Sequence, residues 1–137
     1  MNPEDLKRRT KQFALRILKL VGALPNTVQG RTIGGQLVRA GTAVGANYRA
    51  TCRSRSKAEF IARIGVVEEE ADESAYWMEL IVEADLLKEE KVESLLAEAN
   101  ELAKIMASSR ISASATLTNS AKSQSTIGNR KSAMNHG

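Results

Sequence analysis

Aromatic residues, cysteine, histidine and proline are all scarce in this chain of 137 residues, and each scarcity excludes something. With one Trp, two Tyr and two Phe, a core must be built from aliphatic side chains and Ala. The one cysteine, Cys52, has no partner for an intramolecular disulfide and fits a reducing cytosol, so a cytoplasmic location is expected. The one histidine, His136, stands at the far end of the chain, leaving none for a Ser-His or Cys-His pair on the core. Two prolines, Pro3 and Pro25, leave most of the sequence free to be helical. No apolar run approaches the ~20 residues that span a bilayer. The opening MNPEDLKRRTKQ is too polar for a signal segment, so no membrane association is expected.

What is present is charge, unevenly placed. The net charge of +4 hides a strong polarity. Residues 1–66 hold 13 Lys/Arg against 3 acids, residues 67–108 hold 3 against 13, and residues 109–137 hold 4 and no acid. Such polarity implies either a charged partner or neutralisation between antiparallel helices.

Apolar spacing divides the chain into four helices. Leu6, Thr10, Phe13, Ile17, Leu20 and Leu24 form a seam over residues 4–22, with Lys7, Arg8, Lys11, Arg16 and Lys19 off it. Pro25 ends that helix, and residues 27–30 read as a loop. A second helix is expected from about Thr32 to Arg53, with Ile33, Leu37, Ala40 and Val44 on its core stripe. Gly34, Gly41, Gly45 and Tyr48 share an adjacent stripe. Each mid-helix Gly costs ~1 kcal/mol relative to Ala, so three on one face imply close approach of a neighbouring helix or an oligomer contact. Ser56 with Glu59 is a capping-box pattern, opening a third helix from Lys57 to about Leu87 with a seam from Phe60 to Ile81. A fourth helix is expected over about 90–108. Beyond it the periodicity stops, and the Ser-rich, basic stretch reads as disordered. The expected fold is all-α: an antiparallel up-down four-helix bundle over residues 1–112, with a disordered tail over 113–137.

Little in this pattern supports catalysis. The carboxylates Glu68, Glu69, Glu70, Asp72, Glu73, Glu79 and Glu83 suggest a metal, but inward-facing bundle sites use Glu-x-x-His pairs and this core has no histidine. Salt-bridged or solvated carboxylates are the expected state, with Glu68 set against an arginine; neither metal nor cofactor is expected. Cys52, beside Arg53, reads as a small packed residue. Phosphate-loop and dinucleotide motifs are absent. The candidate functional set is basic: Arg39, Arg49, Arg53, Arg55, Lys57 and Arg63. Lys/Arg clustered on one helical face make an electrostatic footprint for nucleic acid, and Tyr48 nearby could stack on a base.

GANYRA (45–50), RSRSKAEFIARIGVVEEEADESAYWMELI (53–81) and QLVRAGTAVG (36–45) together resemble the four-helix-bundle proteins of the 23S rRNA intervening-sequence family, over about residues 10–110. The resemblance implies a left-handed up-down bundle that assembles as a homopentamer, without assigned catalytic residues. A related branch, the accessory proteins of diversity-generating retroelements, forms a basic barrel that binds nucleic acid and the reverse transcriptase. What this implies is a non-enzymatic oligomer, a pentamer, that associates with RNA or DNA through the six basic residues named above. The alternative is an interaction scaffold or accessory subunit, with a reverse transcriptase or other protein as partner and no direct nucleic-acid binding.

Overall fold

The chain winds into four helices: α1 (Pro3–Gly22), α2 (Val28–Thr51), α3 (Lys57–Glu83) and α4 (Glu89–Asn135). The computed structural model describes the backbone of residues 1–135 and the side chains of residues 1–120. Successive helices pack side by side and α4 closes against α1, so α1 and α3, like α2 and α4, stand at opposite corners. The direction of each neighbour is fixed by its contacts. Gly41 lies against Ile17 and Gly45 against Thr10, which sets α2 antiparallel to α1. Arg63 reaches Ala50 while Arg39 reaches Glu70 and Glu73, which sets α3 antiparallel to α2. Arg9 meets Glu98 and Arg16 meets Ser94, which sets α4 antiparallel to α1. The all-α, up-down bundle expected from the sequence is therefore the fold.

The seams face inward as their spacing requires. Leu6, Thr10, Phe13, Ile17 and Leu20 of α1 are buried against Leu37, Ala40 and Val44 of α2, Ile64 to Ile81 of α3, and Val92 to Met106 of α4. Three polar side chains are buried with them, and each donates its hydroxyl to the carbonyl one turn back: Thr10 to Leu6, Thr51 to Asn47, Ser74 to Glu70. That local bond satisfies the hydroxyl without a partner helix. Among the described residues no buried side-chain polar atom is left unpartnered.

Helix ends differ from the expected ones in three places. α2 begins at Val28, capped by Thr27, whose hydroxyl accepts the Gly30 N–H at 3.1 Å. The expected loop over 27–30 is thus mostly first turn, and Gly30 is there because a Cβ would overlap the Pro25 carbonyl oxygen. α3 stops at Glu83 rather than Leu87, because Asp85 turns left-handed (φ 55°), a conformation that Asp tolerates better than bulkier residues. α4 continues past Ser108, since no Pro or Gly stands between there and Ser120. Ala113 and Ser114 are half-buried and residues 115–120 exposed. The stretch expected as a disordered tail, 113–137, carries helical backbone to Asn135; its side chains from residue 121, and His136 and Gly137 altogether, lie outside the described residues.

Candidate nucleic-acid interface

Antiparallel packing gathers basic residues at one end of the bundle. The start of α1, the end of α2, the α2–α3 turn and the start of α3 all meet there. Arg49, Arg53, Arg55 and Lys57 are exposed at this end, and none of them makes an ion pair among the described residues. The turn beneath them is well tied. The Ser56 hydroxyl accepts the Glu59 N–H at 3.1 Å, and the Glu59 carboxylate accepts the Arg55 N–H at 2.7 Å.

The remaining two candidates are occupied within the fold. Arg63 donates to the Ala50 carbonyl at 2.7 Å and pairs with Glu59 at 2.7 Å, clipping the end of α2 to the first turns of α3. Arg39 stands 3.4 Å from Glu70 and makes a short charge-assisted bond to Glu73. The two carboxylates answer differently. Glu73 is held below the usual carboxylate range chiefly by its bond from Arg39, whereas burial pushes Glu70 up despite the same arginine. Glu68, expected against an arginine, receives two bonds from Arg110 of α4, at 2.9 and 3.3 Å.

Residues absent from the candidate set complete the site. Lys7, Arg8 and Lys11 of α1 face Arg49 across an open groove of about 640 Å³. Its floor is kept low by Ala14, Thr42, Gly45 and Ala46, and Glu4 is the single acid on its wall. Lys7 pairs with Glu4 at 3.1 Å and Arg8 with Asp5 at 2.7 Å, local exposed pairs that bind their cations weakly. Lys11 and Arg49 have no such partner among the described residues. These α1 cations lie off its apolar seam and read in the sequence as a solvated face; only the pairing of α1 with α2 shows them beside Arg49.

The glycine stripe lies inside the chain's own α1–α2 contact. A Cβ on Gly41 would stand 2.7 and 2.9 Å from the two γ-carbons of Ile17, one on Gly45 3.3 Å from the Thr10 hydroxyl, and one on Gly34 3.1 Å from Leu24 and Val21. Tyr48 is buried in the core, and that burial, aided by Cys52 alongside, pushes its phenol well above the usual range. A buried ring has no face free to stack on a base. Cys52, expected to be packed, is exposed, because α2 ends at Thr51 and the cysteine sits on the cap rather than the stripe. Among the described residues no three His, Cys, Asp or Glu side chains converge as a metal site requires, and no helix is long and apolar enough to cross a membrane.

The family model for 23S rRNA-intervening sequence protein matches residues 4–108 of the chain. A solved structure of a protein of unknown function from the S23 ribosomal protein family of Bacteroides thetaiotaomicron is similar to it, with 31% identity and a TM-score of 0.71. The match covers 77% of this chain and 97% of that one. No curated protein matches the chain.

Proposed function

The chain belongs to the 23S rRNA-intervening sequence protein family, and from that membership we propose that it is a non-enzymatic, oligomeric bundle protein that associates with nucleic acid through the basic end of its fold. The observation that carries this reading is the α1–α2 groove, where Lys7, Arg8, Lys11 and Arg49 line a channel with small residues on its floor. Lysine and arginine without fixed anionic partners are the groups that exchange counterions for phosphates, and the low floor lets a sugar–phosphate chain approach the cations on both walls. Arg53, Arg55 and Lys57 extend the field across the adjoining turn. Lacking a stacking aromatic, the site would select on charge and backbone shape rather than base sequence. The cytosol is the compartment in which such a protein would meet RNA or DNA.

Binding of structured RNA and duplex DNA across a salt series tests the reading. The affinity should fall steeply with salt, by about 0.9 log unit per log unit of salt for each duplex phosphate neutralised. Arg49→Glu with Arg53→Glu should weaken binding to all sequences alike and flatten that slope. Absent or salt-insensitive binding would overturn it. Glu69, Asp72, Glu79 and Glu83, exposed and unpaired on α3, favour a second reading: an accessory scaffold with a protein partner, a reverse transcriptase among the candidates. Oligomer size belongs to the same proposal. A pentamer of the 14.9 kDa chain, read by light scattering, is the expected assembly.

A further inference from the structure

Two rows of exposed side chains run along opposite corners of the bundle with the same spacing. On α1, Arg8, Lys11, Leu15, Leu18 and Gly22 follow one another at steps of 3, 4, 3 and 4, on the side away from the buried seam. On α3, Glu69, Asp72, Tyr76, Glu79 and Glu83 repeat those steps from the second residue on, and all five are exposed. Each row spans 14 positions, about 21 Å of helix at ~1.5 Å per residue. Leu15, Leu18 and Tyr76 are 52%, 48% and 52% exposed, unusually open for large apolar side chains on helices with a well-filled core. None of the four carboxylates on the α3 row makes an ion pair among the described residues, and neither does Lys11.

From this complementarity we infer that the α1 row of one copy docks on the α3 row of a second copy. Whichever way the two helices run, Leu15 falls opposite Tyr76, and Arg8 and Lys11 fall opposite carboxylates. The apolar centre supplies area removed from water, and the flanking charges fix the register. Because α1 and α3 stand at opposite corners, the two faces cannot meet in one isologous pair. Each copy uses a donor face and an acceptor face, so the contact is heterologous and propagates until it closes into a ring or runs on as a filament. This rests on the oligomeric part of the reading above and supplies its interface; it does not depend on nucleic-acid binding.

A heterologous contact can be tested by complementation. Leu15→Asp spoils only the α1 face and Tyr76→Asp only the α3 face; neither residue lines the basic groove, and both are exposed enough for the fold to survive, as circular dichroism would verify. By sedimentation or light scattering at micromolar concentration the unaltered chain should exceed its 14.9 kDa protomer mass, and each variant alone should run at that mass. An equimolar mixture should give a species of twice the protomer mass, since one intact face of each kind remains. If the unaltered chain assembles and the folded variants assemble equally well, this interface is wrong while the oligomeric reading stands. A strictly monomeric unaltered chain overturns both. Monomeric variants that fail to pair when mixed overturn the heterologous geometry. Salt-dependent binding of RNA to the variants reports on the groove separately.

Discussion

Gly41 and Gly35 are both interior positions of α2, six residues apart, and they should respond oppositely to the same methyl group. At Gly41 the new carbon would press on Ile17, a fully buried, β-branched side chain with little freedom to turn aside. Overpacking of this kind costs about 1–3 kcal/mol, more than the ~1 kcal/mol that Ala adds in helix propensity. Nothing lies within 4 Å of the Gly35 position. Chemical denaturation should therefore find Gly35→Ala stabilised by roughly 0.5–1 kcal/mol and Gly41→Ala destabilised; two changes of the same sign would contradict the close approach of α1. Arg39 offers a pH-dependent case. Glu73, lowered by Arg39, contributes stability that is present above its unfolded value of about 4.5 and is lost as pH falls through the lower folded value. Glu70, raised by burial, works the other way, and without Arg39 it would be raised further. Replacing Arg39 with Met should lower the melting temperature at neutral pH, with the deficit shrinking as the medium is acidified below pH 4. An equal deficit at both extremes would show that Arg39 acts through packing of its stem alone.

Capping decides how firmly α3 is held to α2. Ser56 satisfies the first free N–H of α3, Glu59 answers back to Arg55, and Arg63 ties the same Glu59 to the last turn of α2. Ser56→Ala should cost about 1 kcal/mol by denaturation, the usual loss of a Ser cap, without altering helix content. This junction was legible in the sequence because Ser56, Glu59 and the apolar run after them are local signals. The seams of all four helices were legible for the same reason: Phe13 or Met78 is buried because of its place in a 3.6-residue period, whichever neighbour it meets. Helix boundaries were less so. Gly30 looked like loop, and only the Pro25 carbonyl above it explains a glycine in a first helical turn. Asp85 gave no local warning that its backbone would turn left-handed two residues after α3 ends. The candidate site was half legible. Arg49, Arg53, Arg55 and Lys57 stood out as a cluster along the chain, whereas Lys7, Arg8 and Lys11 join them only because α1 folds antiparallel onto α2. Arg39 and Arg63 were marked by the same pattern, and their partners on α3 could not be read from spacing within α2.

Folding turns a charge polarity along the chain into one along the bundle axis. The basic start of α1 and the α2–α3 turn lie at one end, while Glu79, Glu83, Glu89 and Glu90 lie near the other. Few of these charges neutralise one another across helices: the interhelical pairs among the described residues are Arg9–Glu98, Arg39 with Glu70 and Glu73, and Glu68–Arg110. Like charges are therefore neighbours at both ends, and their repulsion is a long-range, solvent-exposed effect. Salt screens such effects, since the Debye length falls from ~30 Å at 0.01 M to ~3 Å at 1 M, while contacts under 4 Å between partly buried groups are screened far less. Adding sodium chloride should thus leave the melting temperature unchanged or raise it. The same additions should weaken binding to RNA or duplex DNA, because the bound state releases counterions that salt drives back. Thermal melts and binding titrations in the same buffers would show the two curves diverging. If melting temperature and affinity fell together, surface ion pairs would be holding the bundle, and the basic end would be committed to the fold rather than free for a polyanion.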